Sequence, residues 1–200
     1  MHLSRTTTQL LADLKDPANS LAWEAFDSRY RPIVVGFLRK LGCNEADAQD
    51  VAQDTMARFC KLYADGKYER DKGRLRSWIV GIARYRMMSH ARGDAKQIAL
   101  PAGSIVGKLP DDDALEEVFE VEHRAAMLRE AMNRLRASGV GEKTVRVLEL
   151  LSRDGLKPGA IAESLAMKPE EVYVAKSRGL AKLRDVLAEV RHEYEPGSEP

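Results

Sequence analysis

The stretch EADAQDVAQD, residues 45–54, sets Asp47, Asp50 and Asp54 at spacings of three and four that share one side of a helix, with Glu45 just ahead of them. Like charges three or four residues apart on a helix repel by roughly 0.2–0.5 kcal/mol per pair. A helix that carries this repulsion suits a metal site, a catalytic carboxylate set, a solvated surface or a docking face for a basic partner. Metal binding is the weaker reading, because the stripe lacks the alternating oxygen ligands and loop glycine of a calcium site. Residues 67–93 have the opposite character: eight Lys/Arg (Lys67, Arg70, Lys72, Arg74, Arg76, Arg84, Arg86, Arg92) stand against Glu69 and Asp71, a local balance of +6. Tyr68, Trp78 and Tyr85 are interleaved with them. Lys and Arg neutralise backbone phosphates, and aromatic rings stack on unpaired bases. A third set, Lys168, Lys176, Ser177, Arg178 and Lys182, lies near the C-terminus and consists of residue types that contact phosphates and base edges.

Other chemistry finds little support. Cys43 and Cys60 lack CxxC or Cys/His spacing and read as small core thiols. His2, His90, His123 and His192 are scattered, no Gly-rich phosphate loop appears, and no nucleophile, base and oxyanion donor converge. Neither an enzyme, a metal centre nor a cofactor is expected. The 200 residues are 44% hydrophobic and 32% charged, an ordinary foldable composition with a formal net charge of only +1. A nucleic-acid surface must therefore come from segregation of charge along the chain. No apolar run approaches the roughly 18 residues that span a bilayer, and the N-terminus lacks the apolar core of a secretory signal, so a cytoplasmic chain without membrane insertion is expected.

The elements that position these groups are helical. Apolar residues recur at helical spacing almost throughout and alternating β-branched runs are absent, which predicts an all-α fold. Thr6 to Thr8 cap a short helix through about Leu14, which Pro17 and Asn19 break. The next helix carries Trp23, Phe26, Tyr30, Ile33/Val34 and Phe37/Leu38 on one side, continues through Pro32 and ends at Gly42. Asn44 caps the acidic helix, whose buried side is Ala48, Val51/Ala52, Thr55/Met56, Phe59 and Leu62/Tyr63, and Gly66 closes it. Residues 93–114, rich in Gly, Pro and short polar residues, read as a linker. They lead into an acidic segment opening a helix through about Leu135. The expected organisation is a domain over 1–92, the linker, a second domain over 115–192 and a flexible tail over 193–200. Within the second, residues 142–188 form three segments with short connections. Ile161, Ala162 and Leu165 face inward on the short helix and Val172, Ala175, Leu180 and Leu183 on the longer one, a helix-turn-helix arrangement.

The order DAQDVAQDTMARFCKLY, GRLRSWIVGIARYRMMSHAR, linker, AIAESLAMKPEEVYVAKSRGLAKLR resembles bacterial RNA polymerase sigma factors, specifically the small two-domain extracytoplasmic-function (ECF) type of the sigma-70 family. The resemblance covers about residues 20–92 and 120–188. It implies a region 2 domain followed by a region 4 domain, no catalysis, and direction of core polymerase to promoter DNA. Glu45, Asp47, Asp50 and Asp54 would dock on the β′ clamp helices, and region 4 on the β flap. Lys72, Arg74, Arg76, Arg84, Tyr85, Arg86 and Arg92 would engage the −10 element. Tyr85 stands where the family commonly places Asn after IAR, and Trp78 falls with Ile79, Ile82 and Ala83 on the core side. Lys168, Lys176, Ser177, Arg178 and Lys182 would engage the −35 element. The acidic end of the linker would mimic nucleic-acid charge. An anti-sigma factor is a further candidate partner, and the free chain is expected to be monomeric. The same residues would also suit a conventional dimeric helix-turn-helix regulator, or a helical interaction protein whose basic regions are only solvated.

Overall fold

The computed structural model describes residues 7–16, 18–68, 74–93, 112–152 and 155–194. Among these residues are eight helices and no strand, the all-α architecture that the periodicity predicts. They are α1 (Thr7–Asp13), α2 (Ser20–Lys40), α3 (Glu45–Ala64), α4 (Leu75–Gly93), α5 (Asp112–Ala137), α6 (Glu142–Ser152), α7 (Pro158–Ser164) and α8 (Pro169–Tyr194). The chain divides into two compact units, Met1–Ala126 and Met127–Pro200. The division falls within α5, whose residues through Ala126 count with the first unit.

Local chemistry sets the helix ends. Asn19 does more than break the chain: its Oδ1 accepts from the Ala22 N–H at 3.1 Å and N-caps α2. Pro32 lies inside α2 without ending it. Gly42, with φ of 98°, then lets its own N–H donate to the Arg39 carbonyl at 3.0 Å and the Cys43 N–H to the Leu38 carbonyl at 3.1 Å. These paired bonds satisfy carbonyls that the helix end would otherwise orphan. Asn44 starts α3, its Oδ1 accepting from the Asp47 N–H at 2.9 Å.

In the first unit, α2, α3 and α4 meet around an aromatic cluster. Phe59 is completely buried, stacked on Phe26 at 4.6 Å and Tyr63 at 5.7 Å, and edge-on to Trp78 at 5.0 Å. Helix α1 and the residue after it cover this core with the buried Leu10 and Leu14, and the Tyr63 hydroxyl donates to the Leu11 carbonyl at 2.6 Å. The predicted buried side of α3 is realised from Ala48 to Phe59, whereas Leu62 and Tyr63 are only half-buried. Thr55 is fully buried and its hydroxyl donates to the Val51 carbonyl at 2.7 Å, so it is closed to modification in the folded chain. The first half of α5 joins this unit through the buried Leu115 and Phe119, the latter edge-on to Phe37 at 5.7 Å. Gly36 of α2 faces the Glu122 side chain of α5, where a Cβ would lie 2.3 Å from Oε2.

The second unit has two apolar clusters. One joins α6, α7 and α8 through Val147, Leu150, Ile161, Ala162, Val172 and Ala175, and the other joins α5 and α8 through Met127, Ala131, Val186 and Val190. The inward side of α8 differs from the expected one: Leu180 is 42% exposed and Gly179 is buried in its place. A Cβ on Gly179 would lie 2.9 Å from both Leu148 Cδ1 and Thr144 Cγ2, so α6 meets the backbone of α8 and Leu180 is turned aside. Glu193 and Tyr194, read from sequence as the start of a tail, belong to α8, where the 4% exposed Glu193 accepts two bonds from Arg134 at 2.6 and 2.7 Å.

Both thiols are half-buried in the first unit. Burial pushes Cys43 up, with help from the Asp47 charge, and pushes Cys60 up to about 11, with help from Asp27. The reactive thiolate is thereby scarce at neutral pH. Alkylation of the folded chain by iodoacetamide is expected to be slow at pH 8 and to accelerate about tenfold per pH unit above it. Phe59→Ala is expected to lower unfolding stability by about 3–5 kcal/mol in urea titration. Ala166, in the turn between α7 and α8, has φ of 48° while the Met167 N–H bonds the Ala162 carbonyl at 2.9 Å. Ala166→Gly should relieve that left-handed backbone and raise stability by about 1 kcal/mol in the same titration.

Candidate nucleic-acid and polymerase interfaces

Helix α3 exposes Glu45, Asp50 and Asp54 and half-buries Asp47. Their mutual repulsion is partly met within the chain. Glu45 and Asp47 lie in the first turn, where the helix dipole favours negative charge. Glu45 also pairs with Arg39 at 3.2 Å, and Asp47 accepts from Asn44 Nδ2 at 2.8 Å. Asp54 pairs with Arg86 of α4 at 3.1 Å. Asp50 has no such partner among the described residues. The helix thus tolerates its acids through local bonds, and Asp50 is left facing water.

Helix α4 buries Ile79, Val80, Ile82, Ala83 and Met87, which orients its basic residues away from the core. Arg74 is exposed and Arg76, Arg84 and Arg86 are half-buried. Tyr85 is 62% exposed between Arg84 and Arg86. Trp78 takes the core role: its ring lies edge-on to Phe59 and tilted on Tyr68, both at 5.0 Å. The arginines are not free cations. Arg76 bonds Glu120 and Arg84 bonds Asp112, both from the first half of α5 within the same unit. Sequence reading missed these pairs, because no local pattern brings residues so far apart together. The acidic run of residues 111–122 was the signal that such acids needed partners. Arg86 keeps its Nε buried without a hydrogen-bond partner, a group that costs about 1–3 kcal/mol to leave unsatisfied. Lys72 and the side chain of Arg92 lie outside the described residues.

Helix α8 begins with half of a capping box, the Lys168 N–H donating to Glu171 Oε2 at 2.8 Å ahead of Pro169. Lys168, Ser177, Arg178 and Lys182 are exposed and Lys176 is half-buried. Tyr173 and Val174, absent from the sequence-based set, are 58% and 48% exposed on the same outer side as Ser177 and Arg178. Their one-turn spacing from Ser177 and the burial of Val172 and Ala175 would have marked them. Among the described residues no group of three or more His, Cys, Asp or Glu is placed to hold a metal, and no helix is long and apolar enough to cross a membrane.

Comparison with known proteins bears on the first unit. No curated protein matches the chain. Among solved structures the chain is similar to one in the structure of CnrH in complex with the cytosolic domain of CnrY, with 20% identity, 90% of this chain and 95% of that chain covered, and a TM-score of 0.36. Residues 26–97 match the family described as Sigma-70 region 2. That match runs from the middle of α2 through α4, the helices that carry the aromatic core, the acidic stripe and the arginines around Tyr85. Over these residues the chain is similar to region 2 of sigma-70 factors.

Proposed function

We propose that this chain is a sigma factor of the ECF type, whose first unit docks on core RNA polymerase and opens the −10 element and whose second unit reads the −35 element. The observation that carries this reading is the region 2 match over 26–97, because it falls on the elements that hold both an acidic and a basic surface. In this mechanism α3 meets the basic β′ clamp helices with Asp50 and its neighbours, where complementary charge steers encounter and fixes register. Helix α4 holds the non-template strand: Arg74, Arg76, Arg84 and Arg86, with Lys72 and Arg92, neutralise phosphates, and the outward ring of Tyr85 offers a stacking surface for an unpaired base. The Arg86–Asp54 pair joins the two surfaces, so a basic partner that claims Asp54 leaves Arg86 to the DNA.

Helix α8 enters the major groove of the −35 element with its N-terminal turns, as recognition helices do. Tyr173, Val174 and Ser177 face base edges, where Val174 suits a thymine methyl, while Lys168, Lys176, Arg178 and Lys182 hold phosphates. The partners are core polymerase and promoter DNA, with an anti-sigma factor as a further protein partner for the same surfaces.

Retention of the wild-type chain on purified core polymerase is expected, with initiation from a promoter library at a shared −10/−35 pattern. Asp47→Lys/Asp50→Lys is expected to lose retention and initiation together while keeping its helical circular dichroism. If neither protein is retained, the docking assignment fails, and specific binding of a palindromic duplex by the chain alone would then mark a conventional regulator.

A further inference from the structure

The pairs between α4 and α5 have a register. Arg76 and Arg84 are eight residues apart on α4, and their partners Glu120 and Asp112 are eight apart on α5 in the reverse order. The first half of α5 therefore lies antiparallel along the basic side of α4. Around the Arg76–Glu120 pair, a cleft sets Arg74, Arg76 and Arg124 against Glu116, Glu117 and Glu120. Asp112, Glu116 and Glu120 recur every four residues, which spaces carboxylates about 6 Å apart along the helix axis. That repeat is of the same order as the separation of successive phosphates in a nucleic-acid strand. Burial of Leu115 and Phe119 anchors the row, so its position does not depend on the ion pairs alone.

We propose that the acidic first half of α5 is an intramolecular stand-in for a DNA strand, seated on the α4 arginines of the free chain and displaced when the promoter strand is captured. This inference rests on the reading that α4 holds the −10 strand. It makes low DNA affinity in the free chain a built-in property of the first unit, and it gives Asp112 and Glu120 a regulatory role.

The test is binding of a fluorescein-labelled single-stranded oligonucleotide to the full chain across a salt series, by anisotropy, beside polymerase-dependent initiation by the same proteins. Asp112→Asn/Glu120→Gln is expected to bind more tightly than wild type. Its log K against log salt slope should steepen by about 1.4, the contribution of two released phosphate contacts on a single strand. Phe119→Ala changes no charge and should tighten binding in the same direction by unseating the helix, with circular dichroism confirming that it folds. Glu24→Gln/Asp65→Asn, exposed acids of the same unit, should leave the slope at the wild-type value. Equal tightening by this control pair, or wild-type binding by Asp112→Asn/Glu120→Gln, would overturn the proposal while normal initiation still upheld the sigma-factor reading. Failure of the wild-type chain to initiate with polymerase would remove both.

Discussion

The packing of Phe59 is the contact on which the first unit depends. One ring from α3 stacks on Phe26 of α2, stacks on Tyr63 of its own helix and meets the edge of Trp78 from α4. Aromatic pairs have preferred geometries as well as large buried areas, so the cluster fixes how three helices rotate about their axes, beyond holding them together. That rotation decides what faces outward. With Ala48, Val51, Ala52, Thr55 and Met56 committed to the core, the acids of α3 have only the solvent side available. With Ile79, Ile82, Ala83 and Met87 committed, so do Arg84, Tyr85 and Arg86. The two charged surfaces are the outer sides of helices whose inner sides share one aromatic core.

Charge on this chain is segregated by helix and then partly cancelled across helices. A net charge of +1 conceals a basic α4 and acidic segments in α3 and α5. The cancellation takes the form of cross-helix arginine pairs, Arg86 with Asp54, Arg76 with Glu120 and Arg84 with Asp112. Each contains a carboxylate or guanidinium that water reaches, so each is worth about 0–1 kcal/mol and weakens with salt. Pairs of that strength orient helices without locking them. A basic protein surface or a run of phosphates can compete for either partner.

Much of the fold was legible in the sequence because helix caps and helical periodicity are local. Asn44, Gly42, Gly66 and Pro169 mark their boundaries through chemistry that acts within a few residues. The reading of α8 went astray at Leu180 because a leucine outranks a glycine in any pattern of hydrophobicity. Gly179 is buried for its lack of a side chain, which matters only once α6 lies against it. Tyr173 and Val174 were overlooked for the related reason that apolar residues are first assigned to a core. The acids of α3 were legible as a stripe, but the partners of Glu45 and Asp54 were not, since Arg39 and Arg86 come from other helices. The placement of the first half of α5 was likewise invisible, because residues 93–114 read as a linker and gave no sign that Leu115 and Phe119 would bury in the unit before it.

The balance of forces on that half-helix differs from the balance on its ion pairs. Burying two side chains such as Leu115 and Phe119 stabilises by about 1.5–3 kcal/mol each, more than the exposed pairs supply together. Burial therefore holds the segment, and charge selects the register in which it is held. A strand of phosphates competes with the acids for the arginines but offers nothing to Leu115 or Phe119. Displacement by DNA alone is consequently unfavourable by roughly the apolar term. A second contribution, such as the free energy of docking on a protein partner, must be coupled to it. On this arithmetic the arginines of α4 become available mainly where a protein partner already holds the first unit.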